Sequence, residues 1–223
     1  MHLSTTLSFA AATLPLAYGA ILAERATSAR ATWYGGTNAG ACSFNGYTRP
    51  SGVYGAALGL NLYGKAAQCG ACVSITNGSG KKIIAMVVDE CPSGCAGKTF
   101  DLFPDGFAAL ANPSAGEIDI SWDYVTCPVT GPFKLRTKSG SSQHWFAIQV
   151  YNANQAITKV EISADGSSWT SASRETYNYW LLPSGTNGAT TVQVRVTAKS
   201  GKSIVTKNVS VAEGSTATAE SNF

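Results

Sequence analysis

All six cysteines of this 223-residue chain, at 42, 69, 72, 91, 95 and 127, lie in its first 127 residues, and the last 96 hold none. A chain of this length forms one large domain or two of about 100 residues each. Cross-links confined to one half favour two domains of different kinds. Charge divides at the same place. Residues 31–129 carry five Lys or Arg and seven Asp or Glu, a net of −2, and residues 130–223 carry nine and five, a net of +4. The join reads CPVTGPF, with Pro128 and Pro132 around Gly131, a short and stiff connection. Domains are therefore expected at 31–129 and 130–212, with a disordered small-residue tail at 213–223.

The even cysteine count suits an oxidising compartment. The spacing does not fix which of about fifteen possible pairings forms. Cys69-Gly-Ala-Cys72 in isolation reads as a redox or zinc half-site. No strand–helix context or nearby histidine supports that, so no metal and no cofactor are expected. Residues 3–22 are apolar and uncharged but broken by Ser, Thr and Pro, and Ala17 and Gly19 fit a signal-peptidase site. A signal peptide is expected at 1–19 and a spacer or pro-segment at 20–30, which makes the protein extracellular. No later stretch is long and apolar enough to span a bilayer. Asn77-Gly-Ser79 and Asn208-Val-Ser210 are N-glycosylation sequons. A net charge of +3 with only 13% charged residues argues against nucleic acid as partner.

The first domain reads as mostly β. ACVSITN and KKIIAMVVDE are strands around an Asn-Gly-Ser-Gly turn, EIDISWDYVTC is another, and FPDGFAALAN gives a helix of one or two turns. The second is a row of strands, PFKLRTK, HWFAIQVYN, ITKVEISAD, TYNYWLLP, TTVQVRVTAK and SIVTKNVSVA, the signature of a small β-sandwich. Period-two geometry sends Phe146, Ile148 and Val150 to the core, and Trp145, Gln149 and Tyr151 to the opposite, exposed face. Tyr177 and Tyr179 share a face in the same way. Any one aromatic ring is as readily core or edge packing. Trp145 stands apart because its own strand supplies a separate apolar face. Flat rings on a solvated sheet suit stacking on sugars.

In the first domain, Asp89 ends the apolar run IIAMVV, where a buried residue belongs, and Asp101 follows Phe100 in KTFDLF. Cysteines 91 and 95 pin the loop between them. Carboxylates at such positions suit binding of sugar hydroxyls, or glycoside hydrolysis if an acid and a base stand about 5–9.5 Å apart. The plainer role for Asp89 is to cap a turn or accept backbone N–H groups. Thr32 and Tyr34, in ATWYGG, are placed to line the same groove.

The segments ATWYGG, VVDECPSGCAGKTFDLFPDGF, PVTGPFKLR and SSQHWFAIQV, in this order, resemble the expansin family over residues 31–212, in the flavour of its microbial, fungal-type members. The resemblance implies a six-stranded double-psi β-barrel followed by an immunoglobulin-like carbohydrate-binding sandwich. It implies pairings Cys42–Cys69, Cys72–Cys127 and Cys91–Cys95. It also implies that Asp101 is the main groove carboxylate, that Asp89 is the second, and that Trp145 and Tyr177 lie on a planar aromatic platform. Tyr34 stands where bacterial members carry a threonine. Two departures follow from the same comparison. Cys91 replaces a groove tyrosine, and His144 replaces one of two adjacent platform tryptophans, leaving Tyr179 or His144 to complete the platform. Related inverting endoglucanases need a second aspartate near the start of the barrel, and residues 31–41 contain no carboxylate. The expected function is secreted, non-hydrolytic binding and loosening of cell-wall polysaccharide, by a monomer acting on cellulose, xylan or chitin. The alternatives are a weak endo-β-glucanase or lytic transglycosylase, and a pure glycan-binding module.

Overall fold

A computed structural model of the chain describes residues 27–92, 95 and 99–223. The signal-peptide assignment at 1–19, and residues 20–26 of the spacer, lie outside these residues. The protein is all-β, in two units joined near Pro128.

The first unit is a closed barrel. Its strands are β1 (Thr27–Trp33), β2 (Val53–Gly59), β3 (Cys72–Asn77), β4 (Lys82–Cys91), β5 (Thr99–Leu102) and β6 (Ile118–Val125), in the spatial order β1-β5-β2-β4-β3-β6. The β1/β5 and β2/β4 pairs are parallel and the rest antiparallel. β1 opens at Thr27, within the stretch assigned to the spacer, because Thr27–Ala31 pair with Ile118–Trp122 of β6. Two short helices, α1 (Leu60–Tyr63) and α2 (Pro104–Leu110), sit on the barrel. α2 begins with Pro104 and Asp105 in its first turn, residues that suit an N-terminus by fixed φ and by charge against the helix dipole. It drives Phe107 and Leu110 into a core shared with Leu58, Ile75, Met86 and Phe100. Burial of each such side chain stabilises by about 1.5–3 kcal/mol.

The second unit is a two-sheet sandwich of the immunoglobulin-like kind. Its strands are β7 (Lys134–Thr137), β8 (Phe146–Tyr151), β9 (Ile157–Ser163), β10 (Thr170–Ser171), β11 (Ser173–Arg174), β12 (Trp180–Leu182), β13 (Thr191–Ala198), β14 (Ser203–Ser210) and β15 (Thr216–Thr218). One sheet runs β10-β9-β13-β14 and the other β11-β12-β8-β7-β15. Phe146, Ile148, Val160, Val194 and Val196 fill the space between them.

Three expectations are corrected here. The tail at 213–223 is folded: β15 pairs with β7, and the Phe223 ring stacks on Phe133 at 5.2 Å between centroids. Asn222 also donates to the Gly131 and Asn152 carbonyls, so the chain end locks the interdomain link. Gln149 is fully buried, because the outer face of its sheet packs on the barrel rather than on solvent. The expected strand at TYNYWLLP shortens to Trp180–Leu182, since Asn178 takes φ +62°, and Tyr177 falls on a turn. The disulfides are Cys42–Cys69, Cys72–Cys127 and Cys91–Cys95, as the resemblance implies.

The two units grip each other through polar contacts. Gln149 Nε2 donates to the carbonyls of Cys42 (3.1 Å) and Ser43 (3.0 Å), and Asn178 Nδ2 donates to Cys42 (3.1 Å). Arg136 donates to Asn45 O, Arg174 to Ala66 O, and the Tyr63 hydroxyl to Thr176 O. The two sequons differ. Asn77 Nδ2 donates to Leu110 O (2.6 Å) while its Oδ1 takes bonds from Ser79 and Lys81. Asn208 is exposed, at φ +56°, in a bulge of β14.

Candidate functional site: a carboxylate row and an aromatic patch

Four neighbouring strands place Thr32, Asp101, Ala57 and Asp89 side by side. Thr32 of β1 is in register with Asp101 of β5, Asp101 with Ala57 of β2, and Ala57 with Asp89 of β4. Residues in register share a face of the sheet. Strand alternation explains Asp101: its neighbours Phe100 and Leu102 are fully buried, so its own side chain points outward.

Asp89 needs a further device. Val87 is buried, and strict alternation would turn Asp89 inward as well. The β2/β4 register instead shifts between Ala56 and Ala57, so that Val88 is an extra residue on β4. A bulge changes the phase of all that follows. Val87 and Val88 are both buried, and Asp89 emerges beside Asp101. This is why a carboxylate ends the apolar run.

The two carboxylates are held differently. Asp89 Oδ1 accepts from the backbone N–H of Ala41 (2.6 Å) and of Glu90 (2.8 Å), and Oδ2 accepts from the Tyr34 hydroxyl (3.0 Å). The plainer role read from sequence, an acceptor of backbone N–H groups, is thus part of what Asp89 does. Asp101 Oδ1 accepts from Thr32 Oγ1 at 2.7 Å, which is its hydrogen bond among the described residues. Burial pushes the Asp101 carboxyl above its ordinary range, the Thr32 bond pulls it down, and the Asp89 charge pushes it up again. Burial and the adjacent Asp89 drive the Tyr34 phenol far above its usual value, so it remains a donor. Its ring meets Phe103 edge-on at 5.7 Å.

Arg49 was not marked by sequence. Its guanidinium lies 4.6 Å from the centre of the Phe103 ring, the ring that Tyr34 also meets. Burial lowers its pKa, against the pull of Asp105. Gly55 of β2 is required for this arrangement, since a Cβ there would overlap both Arg49 and Phe103. A lone Arg before a Pro carries no local signal for such a position.

In the second unit, Trp145, Tyr177 and Tyr179 gather around one cation. Lys138 Nζ lies 5.7 Å from the Trp145 ring centre and 5.9 Å from each tyrosine ring centre. The tyrosine rings are 5.9 Å apart and tilted by 45°. Trp145 and Tyr177 are partly exposed, Tyr179 is 9% exposed, and His144 is exposed on the turn before β8. The patch therefore has two accessible faces and a third ring that supports them. Lys138 was also unmarked. It belongs to the set through the pairing of β7 with β8, which places it beside Ala147.

Three comparisons bear on this arrangement. Residues 133–210 match the family model "Expansin C-terminal domain". The chain is 36% identical over 184 residues to Expansin-like protein 5 of Dictyostelium discoideum, covering 79% of this chain and 76% of that protein. It is 33% identical over 177 residues to Expansin-like protein 1 of the same organism, of which it spans 62%, matched by 75% of this chain. A crystallised mutant of Clavibacter michiganensis expansin, in complex with cellohexaose, superposes with a TM-score of 0.78 at 32% identity, over 88% of this chain and 96% of that one. The family model falls on the sandwich, the sequence match covers 79% of the chain and the structural match 88%, and the chain belongs to the expansin family.

Proposed function

We propose that this protein is exported, binds cell-wall polysaccharide, and loosens it without cutting a covalent bond. The barrel row receives a glycan chain and the aromatic patch anchors the sandwich on the same polymer. The observation that carries this reading is the inequality of the two aspartates. Among the described residues three donors occupy Asp89 and one occupies Asp101, which leaves Asp101 the better placed to accept from sugar hydroxyls. Inverting hydrolysis needs both a proton donor and a separate base to activate water. Residues 31–41 supply no carboxylate for that second role. Trp145 and Tyr177 give sugar rings a surface to stack on, and the relative crystallised with cellohexaose supports a β-glucan as ligand. Xylan and chitin share the same stacking chemistry. Asn208, exposed in its bulge, is the better-placed sequon, because the Asn77 amide is engaged inside the fold.

The test separates loosening from cleavage. Asp101→Asn is expected to abolish creep of a loaded wall strip while leaving the protein folded, and the parent is expected to release no reducing ends from soluble β-glucan. Creep that survives in Asp101→Asn overturns the groove assignment. Reducing ends that disappear in Asp101→Asn favour the weak glucanase or transglycosylase instead, a reading that the raised Asp101 carboxyl gives some chemical basis. Retention on glycan with no creep leaves a pure binding module. Trp145→Ala is expected to weaken retention on cellulose about fivefold, the loss of roughly 1 kcal/mol of stacking.

A further inference from the structure

At the rim of the groove, Cys91 Sγ, Cys95 Sγ and a carboxylate oxygen of Asp101 lie within 4.8 Å of one another. Oxidised, the two sulfurs are spent on their own bridge. Two independent features mark that bridge as the one a reductant opens first. It spans 4 residues of sequence against 27 and 55 for the others, and the restraint a disulfide places on the unfolded chain grows with loop length. It therefore holds the least of the fold. It is also accessible: Cys91 and Cys95 are partly exposed, whereas Cys42, Cys69, Cys72 and Cys127 are at most 7% exposed. Thiol–disulfide exchange needs an attacking thiolate to reach sulfur.

We propose that reduction of Cys91–Cys95 turns the groove rim into a site for a thiophilic divalent cation, held by both cysteine sulfurs and Asp101. A small dithiol is the reductant. It gives two electrons and two protons to the bridge and leaves as its own cyclic disulfide, so the products are two cysteine thiols and an oxidised dithiol. A zinc-class ion then displaces both thiol protons to solvent. Two thiolates and one carboxylate meet a doubly charged ion, and water completes a tetrahedron. Cys-x3-Cys lies within the ligand spacing of zinc sites. With metal–sulfur bonds of about 2.3 Å, the sulfurs must part to roughly 3.8 Å, which side-chain rotation reaches from Cα atoms 5.8 Å apart. This site lies away from Cys69 and Cys72 and uses no histidine, so it differs from the zinc half-site pattern of the sequence, from which no metal is expected. The site does not depend on what the groove binds, but an ion there takes the Asp101 oxygen that the groove otherwise offers.

The full secreted chain is treated briefly with dithiothreitol, freed of it without air, and assayed for thiols. Two thiols per chain are expected. Cobalt(II) is then added as the probe. The intense visible absorption of tetrahedral cobalt and a near-ultraviolet thiolate band are expected to saturate at one ion per chain. They should be absent from untreated protein and lost on reoxidation. Asp101→Asn, with an unchanged near-ultraviolet dichroism spectrum, is expected to bind cobalt about tenfold or more weakly. The proposal is overturned if six thiols appear together, if two thiols appear and no tetrahedral spectrum develops, or if Asp101→Asn binds cobalt as tightly as the parent. The reoxidised parent serves as control, so the outcome does not hang on the folding of a Cys91→Ser, Cys95→Ser protein.

Discussion

A methyl group on Gly40 would overlap the Asp89 carboxylate, so no larger residue fits there while that side chain stays put. Gly40→Ala is expected to push Asp89 off the Ala41 N–H and the Tyr34 hydroxyl. Charge-assisted bonds of this kind are worth about 1.5–3 kcal/mol each. If the groove needs both aspartates in place, titration with cellohexaose should show an affinity drop of about tenfold or more, together with a melting temperature lowered by several degrees. An unchanged affinity would mean that Asp89 only braces the loop around Ala41. Residues of this kind were legible in the sequence where they broke a local rule. Asp89 stands out in IIAMVV, and Asp101 between Phe100 and Leu102. Arg49, Lys138 and Gln149 break no local rule. Arg49 and Gln149 take their positions from partners far along the chain, Phe103 and Cys42, and Lys138 takes its position from the strand pairing that sets it beside Ala147.

Strands rich in Val and Ile, β3, β4 and β6, announce themselves by pattern, and α2 by its Pro and Asp. β2 reads VYGAALG, too small and too glycine-rich to signal a strand, yet it lies buried between β5 and β4, with Gly55 leaving room for Arg49 and Phe103. The tail misled for the opposite reason, since its composition is that of disorder while its last two residues are anchors. Phe223→Ala is expected to cost about 1–2 kcal/mol, less than a fully buried Phe because the residue is partly exposed. A melting temperature unchanged in that variant would show the stacked pair to be ornamental. β9 carries a second prediction. Glu161 is 8% exposed and lies 2.8 Å from both Arg195 and Lys159, and the Arg195 hydrogen bond first, with Lys159 assisting, holds its pKa near about 2 against an ordinary 4.5. A depressed carboxylate stabilises fully above its unfolded value and loses that stabilisation as pH falls through its folded value. Sandwich stability should therefore decline from pH 4.5 toward about 2, and Glu161→Gln should flatten that part of the melting-versus-pH curve.

The barrel and the sandwich share a polar seam centred on the Cys42 carbonyl, which two buried side chains address at once. Removing both donors leaves that carbonyl buried without partners, at a cost of about 1–3 kcal/mol. The parent is expected to melt in one calorimetric transition. Gln149→Leu with Asn178→Leu should split it into two or lower it by several degrees, and a single unshifted peak would show that the seam does not couple the units.

The strand ends of the whole molecule carry one more consequence. The barrel is closed and has no edge. The sandwich edges β10, β11 and β15 are two or three residues long, and the fourth, β14, is bulged at Lys207 and Asn208. Short or bulged edges give a neighbouring chain little to pair with. A protein that collects on a polymer meets copies of itself at far higher local density than in dilution. If the protein gathers on a polymer as proposed, its short or bulged sandwich edges give neighbouring copies little template for strand exchange.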